Sequence, residues 1–262
     1  MKLLKLKPIS NGTRHQLKIK KNLLCKNNRL IKNLLIGTKK WAGRSSTSGK
    51  ISIRHQGSGC KKLYRIIKFN NLHFFALVLG ILYDPNRSIF ISLNYNFISK
   101  TFFQTGAVNY LKPGSLILCK NITKEFKLGF RLQLEIIPIG TLLNTLAINT
   151  DTQAKYIRAA GTYGQLIQKD GPIAQIKLPS GKLLKLLSIS YATIGVLSNT
   201  QHNKTIIGKA GLNRLKGIRP TVRGIAMNPV DHPHGGRTNG GCHAMTPWGK
   251  PTRGKPTKKK NK

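Results

Sequence analysis

Acidic side chains are almost missing from this sequence. It holds 6 Asp and Glu against 46 Lys and Arg in 262 residues, a formal charge of +40. A compact body of that charge repels itself unless a polyanion screens it, which argues against an ordinary soluble enzyme and leaves nucleic acid or an anionic membrane surface as partner. Cysteine is scarce too. Cys25, Cys60, Cys119 and Cys242 lie far apart and form no CxxC pair. That argues against the disulfide framework of small secreted basic proteins and against structural zinc, and reads as unpaired thiols in a reducing compartment. Long apolar runs are also lacking. The longest, LHFFALVLGILY (Leu72–Tyr83), has twelve residues, too few to span a bilayer, and is expected to form a buried pair of strands. The start, MKLLKLKPISNGTRH, lacks a secretion signal's apolar core and cleavage site and the Arg-rich amphipathic pattern of an import presequence. The expectation is a chain that works where it is made, or one whose import signal preceded this numbering.

The charge that is present is unevenly laid out. Residues 1–83 carry 19 basic residues and no acid, residues 84–210 carry 15 basic and 5 acidic, and residues 211–262 carry 12 basic and one acid, Asp231. The centre has the strand signals: Ile89–Ser99, Ser115–Ile122, Phe130–Ile137, Ala174–Leu186 and Tyr191–Ser198 are short apolar or alternating runs. Turn sequences DPN (Asp84–Asn86), KPG (Lys112–Gly114), KDGP (Lys169–Pro172) and PSG (Pro179–Gly181) punctuate them. Such spacing, with few helical stretches, predicts two small β-barrels between about residues 60 and 198, divided near Asn121–Lys127. Gly211–Lys262 is rich in Gly and Pro and poor in apolar residues. It buries too little to offset its ordering entropy and is expected to order only against a charged partner.

Within that tail stands VDHPHGGRTNGG (Val230–Gly241). As a metal site it offers His232, His234 and Asp231 but no further carboxylate or thiol pair, and Arg219, Arg223, Arg237 and Lys250 crowd it with positive charge. As a catalytic site it lacks a nucleophile on a strand-to-helix elbow. Close contact with nucleic acid fits better. Glycine lets the backbone approach phosphates and bases, proline stiffens an extended path, and neutral His offers one donor and one acceptor. Trp248 presents a stacking face, and Arg219, Arg223, Arg237 and Arg253 present forked phosphate donors.

These residues resemble a known family. KAGLNRLKGIRPTVRGIAMNPVDHPHGG (Lys209–Gly236) followed by TPWGKPTRGK (Thr246–Lys255) is similar to the signature of the universal large-ribosomal-subunit protein two family. RHQGSGCKKLYR (Arg54–Arg65), LYDPNRS (Leu82–Ser88), IRAAGTYGQLI (Ile157–Ile167) and YATIGVLSN (Tyr191–Asn199) resemble further family motifs in the same order. The resemblance implies a mainly β fold. An OB-fold barrel (60–123) is followed by an SH3-like barrel (124–200), between long irregular basic N-terminal (1–59) and C-terminal (201–262) extensions. It implies a non-enzymatic constituent of the large ribosomal subunit that binds large-subunit rRNA, supports association with the small subunit, and sends its tail toward the peptidyl transferase centre. Implied partners are that rRNA, neighbouring ribosomal proteins and the small subunit. No membrane, no homo-oligomer and no cofactor are implied beyond magnesium carried by the rRNA. The matching motif positions are Met227, Asn228, Pro229, Asp231, His232, Pro233, His234, Gly235 and Gly236, with the two histidines expected as structural rRNA contacts. Further expected contacts are Arg54, His55, Lys61, Lys62, Arg65, Arg87, Arg158, Lys209, Arg214, Arg219, Arg223, Arg237, Trp248, Lys250 and Arg253.

Two departures stand out. HGGRTNGG replaces the family's HGGGEGRxNGG, shortening the path and removing a glutamate, and Cys60 stands where a His is usual. RTNGG (Arg237–Gly241) resembles mitochondrial members, and the Lys-, Asn- and Ile-rich composition resembles translation from an AT-rich genome. The expected location is the mitochondrial matrix, with a plastid or bacterial cytoplasm as alternatives. An RNA-modifying enzyme is disfavoured because QGSGCKK (Gln56–Lys62) and GKAG (Gly208–Gly211) lack phosphate-loop spacing. A membrane-surface helix is disfavoured because Gly and Pro interrupt the tail every few residues.

Overall fold

A computed structural model describes residues 3–22, 24–25, 29–38, 42–67, 74–119, 125–149, 153–237 and 242–254. The chain forms two compact units: Met1–Lys40 with Cys60–Leu212, and Trp41–Gly59 with Asn213–Lys262.

The first unit opens with β1 (Leu3–Lys5) and β2 (Leu17–Ile19), antiparallel around the single-turn helix α1 (Asn11–Arg14). Ser10 and Thr13 bond reciprocally at the start of α1. Leu17 bridges to Ile206, and the Gln16 amide donates to the Ile207 carbonyl at 2.8 Å, so the two ends of this unit are stitched together. β3 (Leu35–Gly37) pairs with β4 (Leu63–Arg65).

Ten strands make the main sheet. These are β5 (Phe74–Tyr83), β6 (Phe90–Asn96), β7 (Thr101–Gly106), β8 (Leu116–Cys119), β9 (Arg131–Gln133), β10 (Leu142–Asn144), β11 (Gly164–Asp170), β12 (Ile173–Lys177), β13 (Leu183–Leu187) and β14 (Tyr191–Ile194). Their order is β13-β12-β11-β10-β14-β9-β8-β5-β6-β7. Among the described residues the pairings of this sheet are antiparallel except β8 with β9, a single parallel pair of Cys119 and Arg131 that joins two barrel halves. The architecture is mainly β and has the character of an OB-fold barrel followed by an SH3-like barrel. The KPG, KDGP and PSG turns each contain a left-handed glycine, at Gly114, Gly171 and Gly181.

The expected strand pair at Leu72–Tyr83 is corrected: the described part is one ten-residue strand, β5. Ala76, Val78, Gly80 and Leu82 are buried in alternation, with a register shift between Val78 and Gly80. Gly80 marks a close approach instead of a turn, since a Cβ there would lie 2.5 Å from Cys25 Sγ. The expected division at Asn121–Lys127 lies partly outside the described residues.

The second barrel has the larger core, with Leu132, Leu134, Ile137, Leu143, Leu146, Leu166 and Ile176 fully buried. Each such side chain contributes roughly 2 kcal/mol of burial. The first barrel has a smaller core around Val78, Phe103 and Ile117. Its outer face is closed by Leu24 against Phe90 and by Ile31 against Leu82 and Leu93, so the basic N-terminal segment also serves as a lid on the sheet.

The Arg131 guanidinium is buried beside the strand junction and donates to the Thr145 carbonyl at 3.0 Å. Burial pushes its pKa down to about 10, against the opposing influence of Cys119 and Tyr191, and it stays charged at neutral pH. Burial likewise pushes the Cys119 thiol up to about 11 despite the nearby Arg131.

Candidate nucleic-acid interface

Residues 42–59 and 213–254 carry ten Lys or Arg and one acid, Asp231. Among the described residues of this unit no apolar side chain is buried; only Gly43, Gly217 and His232 are. What organises it is backbone. Arg44 bridges to Ile51 in a tight hairpin, closed by the Ser45 N–H on the Lys50 carbonyl at 2.8 Å. Gln56 bridges to Ile218, the Gly57 N–H donates to the Gly217 carbonyl at 2.7 Å, and the Arg219 N–H to the His55 carbonyl at 2.9 Å. The two segments meet this closely because Gly59 has no side chain: a Cβ there would sit 2.7 Å from the Gly217 nitrogen.

The helix α2 (Ala210–Lys216) leads into this unit and ends on Arg214 and Lys216, cations suited to the negative C-terminal end. A 3₁₀ turn at Gly224–Ala226 follows, then the MNPVDHPHGG motif as a closed loop. The Asn228 carbonyl accepts from the Asp231 and His232 N–H groups at 3.0 and 3.3 Å, and the Met227 carbonyl accepts from the Gly236 N–H at 3.2 Å. Gly235 is required here, because a Cβ would lie 2.6 Å from the Met227 oxygen. His232 is turned inward, 8% exposed, with Gly224 against its ring. Its Nδ1 accepts the His234 N–H at 3.0 Å, so the neutral ring carries its proton on Nε2. The His234 Nε2 in turn donates to the His243 carbonyl at 2.8 Å, and the two rings lie 4.7 Å apart. Both histidines therefore hold the loop's shape.

Downstream, Met245 bridges to Pro251, and Thr246–Gly249 forms a turn closed by the Gly249 N–H on the Thr246 carbonyl at 2.9 Å. Trp248 stands at its tip, 72% exposed, with the Arg54 guanidinium 5.1 Å from its ring. Between the segments opens a cavity of about 580 Å³, lined by Arg44, Arg54, His55, Arg219, Met227 and Asp231 among others.

Of the expected contact residues, Arg54, His55, Arg214, Arg219, Arg223, Met227, Asn228, His232, His234, Gly235, Gly236, Arg237, Trp248, Lys250 and Arg253 fall in this unit. Lys61, Lys62, Arg65, Arg87, Arg158 and Lys209 fall in the other. There the two arginines Arg65 and Arg87 serve the fold. Asp84 is fully buried and accepts from Arg87 at 2.7 Å and from the Asn86 N–H at 2.8 Å, with Arg65 at 3.7 Å. Arg87 also donates to the Tyr64 hydroxyl at 2.8 Å. Lys61, Arg158 and Lys209 are exposed, and Lys62 is half-buried.

Sequence reasoning missed Arg44, which binds the Gly49 carbonyl at 3.0 Å beside the cavity, and the anchoring role of Asp84. The signal for Asp84 is its isolation: it is the first acid after 83 residues, in a DPNR turn. Among the described residues no group of three or more His, Cys, Asp or Glu is placed to hold a metal, and no helix is long and apolar enough to cross a membrane.

Comparison with known proteins agrees with this geometry. Residues 31–119 match the family model described as Ribosomal Proteins L2, RNA binding N-terminal domain, and residues 127–249 match Ribosomal Proteins L2, C-terminal domain. The large ribosomal subunit protein uL2 of Ehrlichia canis is 44% identical over 234 residues, covering 87% of this chain and 84% of its own. That of Dinoroseobacter shibae is 40% identical over 271 aligned positions, covering 100% and 94%. With both family domains present in order and relatives matched over most of their length, this chain belongs to the ribosomal protein L2 family.

Proposed function

We propose that this chain is a structural, non-catalytic constituent of the large ribosomal subunit that binds large-subunit rRNA directly. The observation that carries the reading is a unit with ten cations, one carboxylate and no buried apolar side chain among its described residues. Such a surface gains its stability from phosphate neutralisation and close backbone approach. Arg54, Arg214, Arg219, Arg223, Arg237, Lys250 and Arg253 neutralise phosphates, Trp248 stacks on a base, and Gly235 and Gly236 admit the backbone to the RNA. His232 and His234 shape the loop that carries them. In the other unit Lys61, Lys62, Arg158 and Lys209 add phosphate contacts, while Arg65 and Arg87 divide their donors between Asp84 and RNA.

The working parts are 1–59, 60–123, 124–200 and 201–262, the first and last acting jointly through 42–59 and 213–254. In the particle the chain touches neighbouring ribosomal proteins, supports association with the small subunit, and shapes the surroundings of the peptidyl transferase centre. It acts as one copy, without a membrane and without a cofactor beyond rRNA-bound magnesium. Its location is the mitochondrial ribosome, supported by RTNGG at Arg237–Gly241 and the AT-rich-type composition; a plastid or bacterial cytoplasm is second. The coding sequence found in a nuclear or bacterial genome overturns that placement.

Binding of the full chain to large-subunit rRNA, followed from low to high potassium chloride, tests the reading. With about ten phosphate contacts, log affinity falls against log salt with a slope on the order of −7 to −9, and Arg219→Gln makes it shallower by about 1. A flat salt response overturns the proposal.

A further inference from the structure

The cavity between residues 42–59 and 213–231 is lined by charges of both signs. Arg44, Arg54 and Arg219 line it as cations, and Asp231 lines it as the unit's single carboxylate. Asp231 makes no ion pair with another described residue; the described ion pairs involve Asp84 and Glu125 only. Its backbone is fixed on both sides, by its own N–H on the Asn228 carbonyl at 3.0 Å and by the buried His232 that follows. Apolar walls come from Ile53, Val222 and Met227.

A bare phosphate suits the arginines but is repelled by the carboxylate. A metal ion suits the carboxylate but is repelled by three guanidinium groups, and one carboxylate makes no shell. The complementary ligand has an anionic end, a flat apolar body and an edge of hydrogen-bond donors, which describes one unstacked nucleotide. The volume, about 580 Å³, is within the range of small-ligand sites.

The carboxylate also selects the base. Ionised Asp only accepts, through two adjacent oxygens. Guanine presents two adjacent donors on its Watson–Crick edge, N1–H and the N2 amine. Adenine and cytosine each present one donor beside an acceptor, and uracil one donor between two acceptors. We propose that this cavity receives a single unpaired guanine of the rRNA, with Asp231 accepting from its Watson–Crick edge and Arg54 or Arg219 on its phosphate. The inference rests on the rRNA-binding reading and adds a base-specific subsite to a surface otherwise blind to sequence.

The probe is a pool of RNA stem–loops with a randomised nine-nucleotide loop, bound to the full chain and sequenced. The expected result is enrichment of an unpaired guanine at one loop position, with an affinity roughly ten- to a hundredfold above the same loop carrying adenine there. Asp231→Asn collapses that difference, whereas Asp170→Asn, on an exposed strand end of the other unit, preserves it. Inosine at the selected position, which lacks the N2 amine, gives an intermediate affinity. Binding that is salt-dependent but without guanine enrichment overturns the subsite alone, as does a guanine preference that survives Asp231→Asn. Absence of salt-dependent binding to any loop overturns the rRNA reading instead.

Discussion

The second barrel buries Leu132, Leu134, Leu143, Leu166 and Ile176 completely, whereas residues 42–59 and 213–254 bury no apolar side chain among those described. One chain thus contains two ways of holding a shape. The barrel stands on the hydrophobic effect, whose partner is its own interior. The other unit stands on backbone hydrogen bonds, glycine-permitted contacts and inward histidines, each of which contributes only about 1 kcal/mol net in water. Its net charge is then an asset in the presence of RNA and a liability in its absence. The cationic unit has no apolar interior of its own among its described residues, and the barrel has one.

Truncating side chains on both sides tests this contrast most directly. Leu143→Ala is expected to cost the barrel about 3–4 kcal/mol in urea denaturation, because a fully buried leucine leaves a cavity. Val222→Ala, more than half exposed, should change unfolding by less than about 0.5 kcal/mol. Equal costs would erase the distinction.

Alkaline pH separates the two units in another way. Cys119 is fully buried and its thiol is held at about 11 in the folded barrel. As pH rises past the ordinary thiol value, the unfolded chain loses this proton while the folded one keeps it, so the thiol's contribution to stability falls, partly offset above about pH 10 by Arg131, which loses its proton first in the folded state. The loss runs from about pH 9 to pH 11 and amounts to about 2 kcal/mol. Cys119→Ala removes this component. Urea midpoints of the variant and the unaltered protein, compared across that window, check it. A wild-type decline no steeper than the variant's contradicts the assignment.

A more modest loss than that of Leu143→Ala is expected in the cationic unit. Gly235→Ala places a Cβ 2.6 Å from the Met227 oxygen and should weaken rRNA binding roughly tenfold, about 1.4 kcal/mol. Thermal unfolding of the barrels should stay where it was. A variant that binds normally would show that the loop's close contacts do not matter.

Several elements are legible in the residues themselves. The KDGP and PSG turns divide β11, β12 and β13 because glycine and proline act locally, within a few residues. The apolar run at Leu72–Tyr83 is legible as buried but not as one strand. Gly80 reads equally as a turn or as a close approach, and only the neighbouring Cys25 decides. Arg65 and Arg87 are legible as cations, but that both lie beside the buried Asp84 is not, since a sequence records their charge without their neighbour. The tail's lack of apolar burial follows from its composition. Its hydrogen-bonded union with residues 42–59 does not, since that pairing spans over 150 residues and leaves no periodic trace.

Composition and local pattern thus account for the charge, the polyanionic partner, the β-rich centre and the glycine-bearing loop, because each depends on residue type or on neighbours in the chain. Folding in three dimensions was needed to settle which arginines are occupied, which way His232 points, and that Asp231 shares a cavity with arginines. Those outcomes depend on contacts between segments far apart in sequence, and there the physics is one of distance and burial.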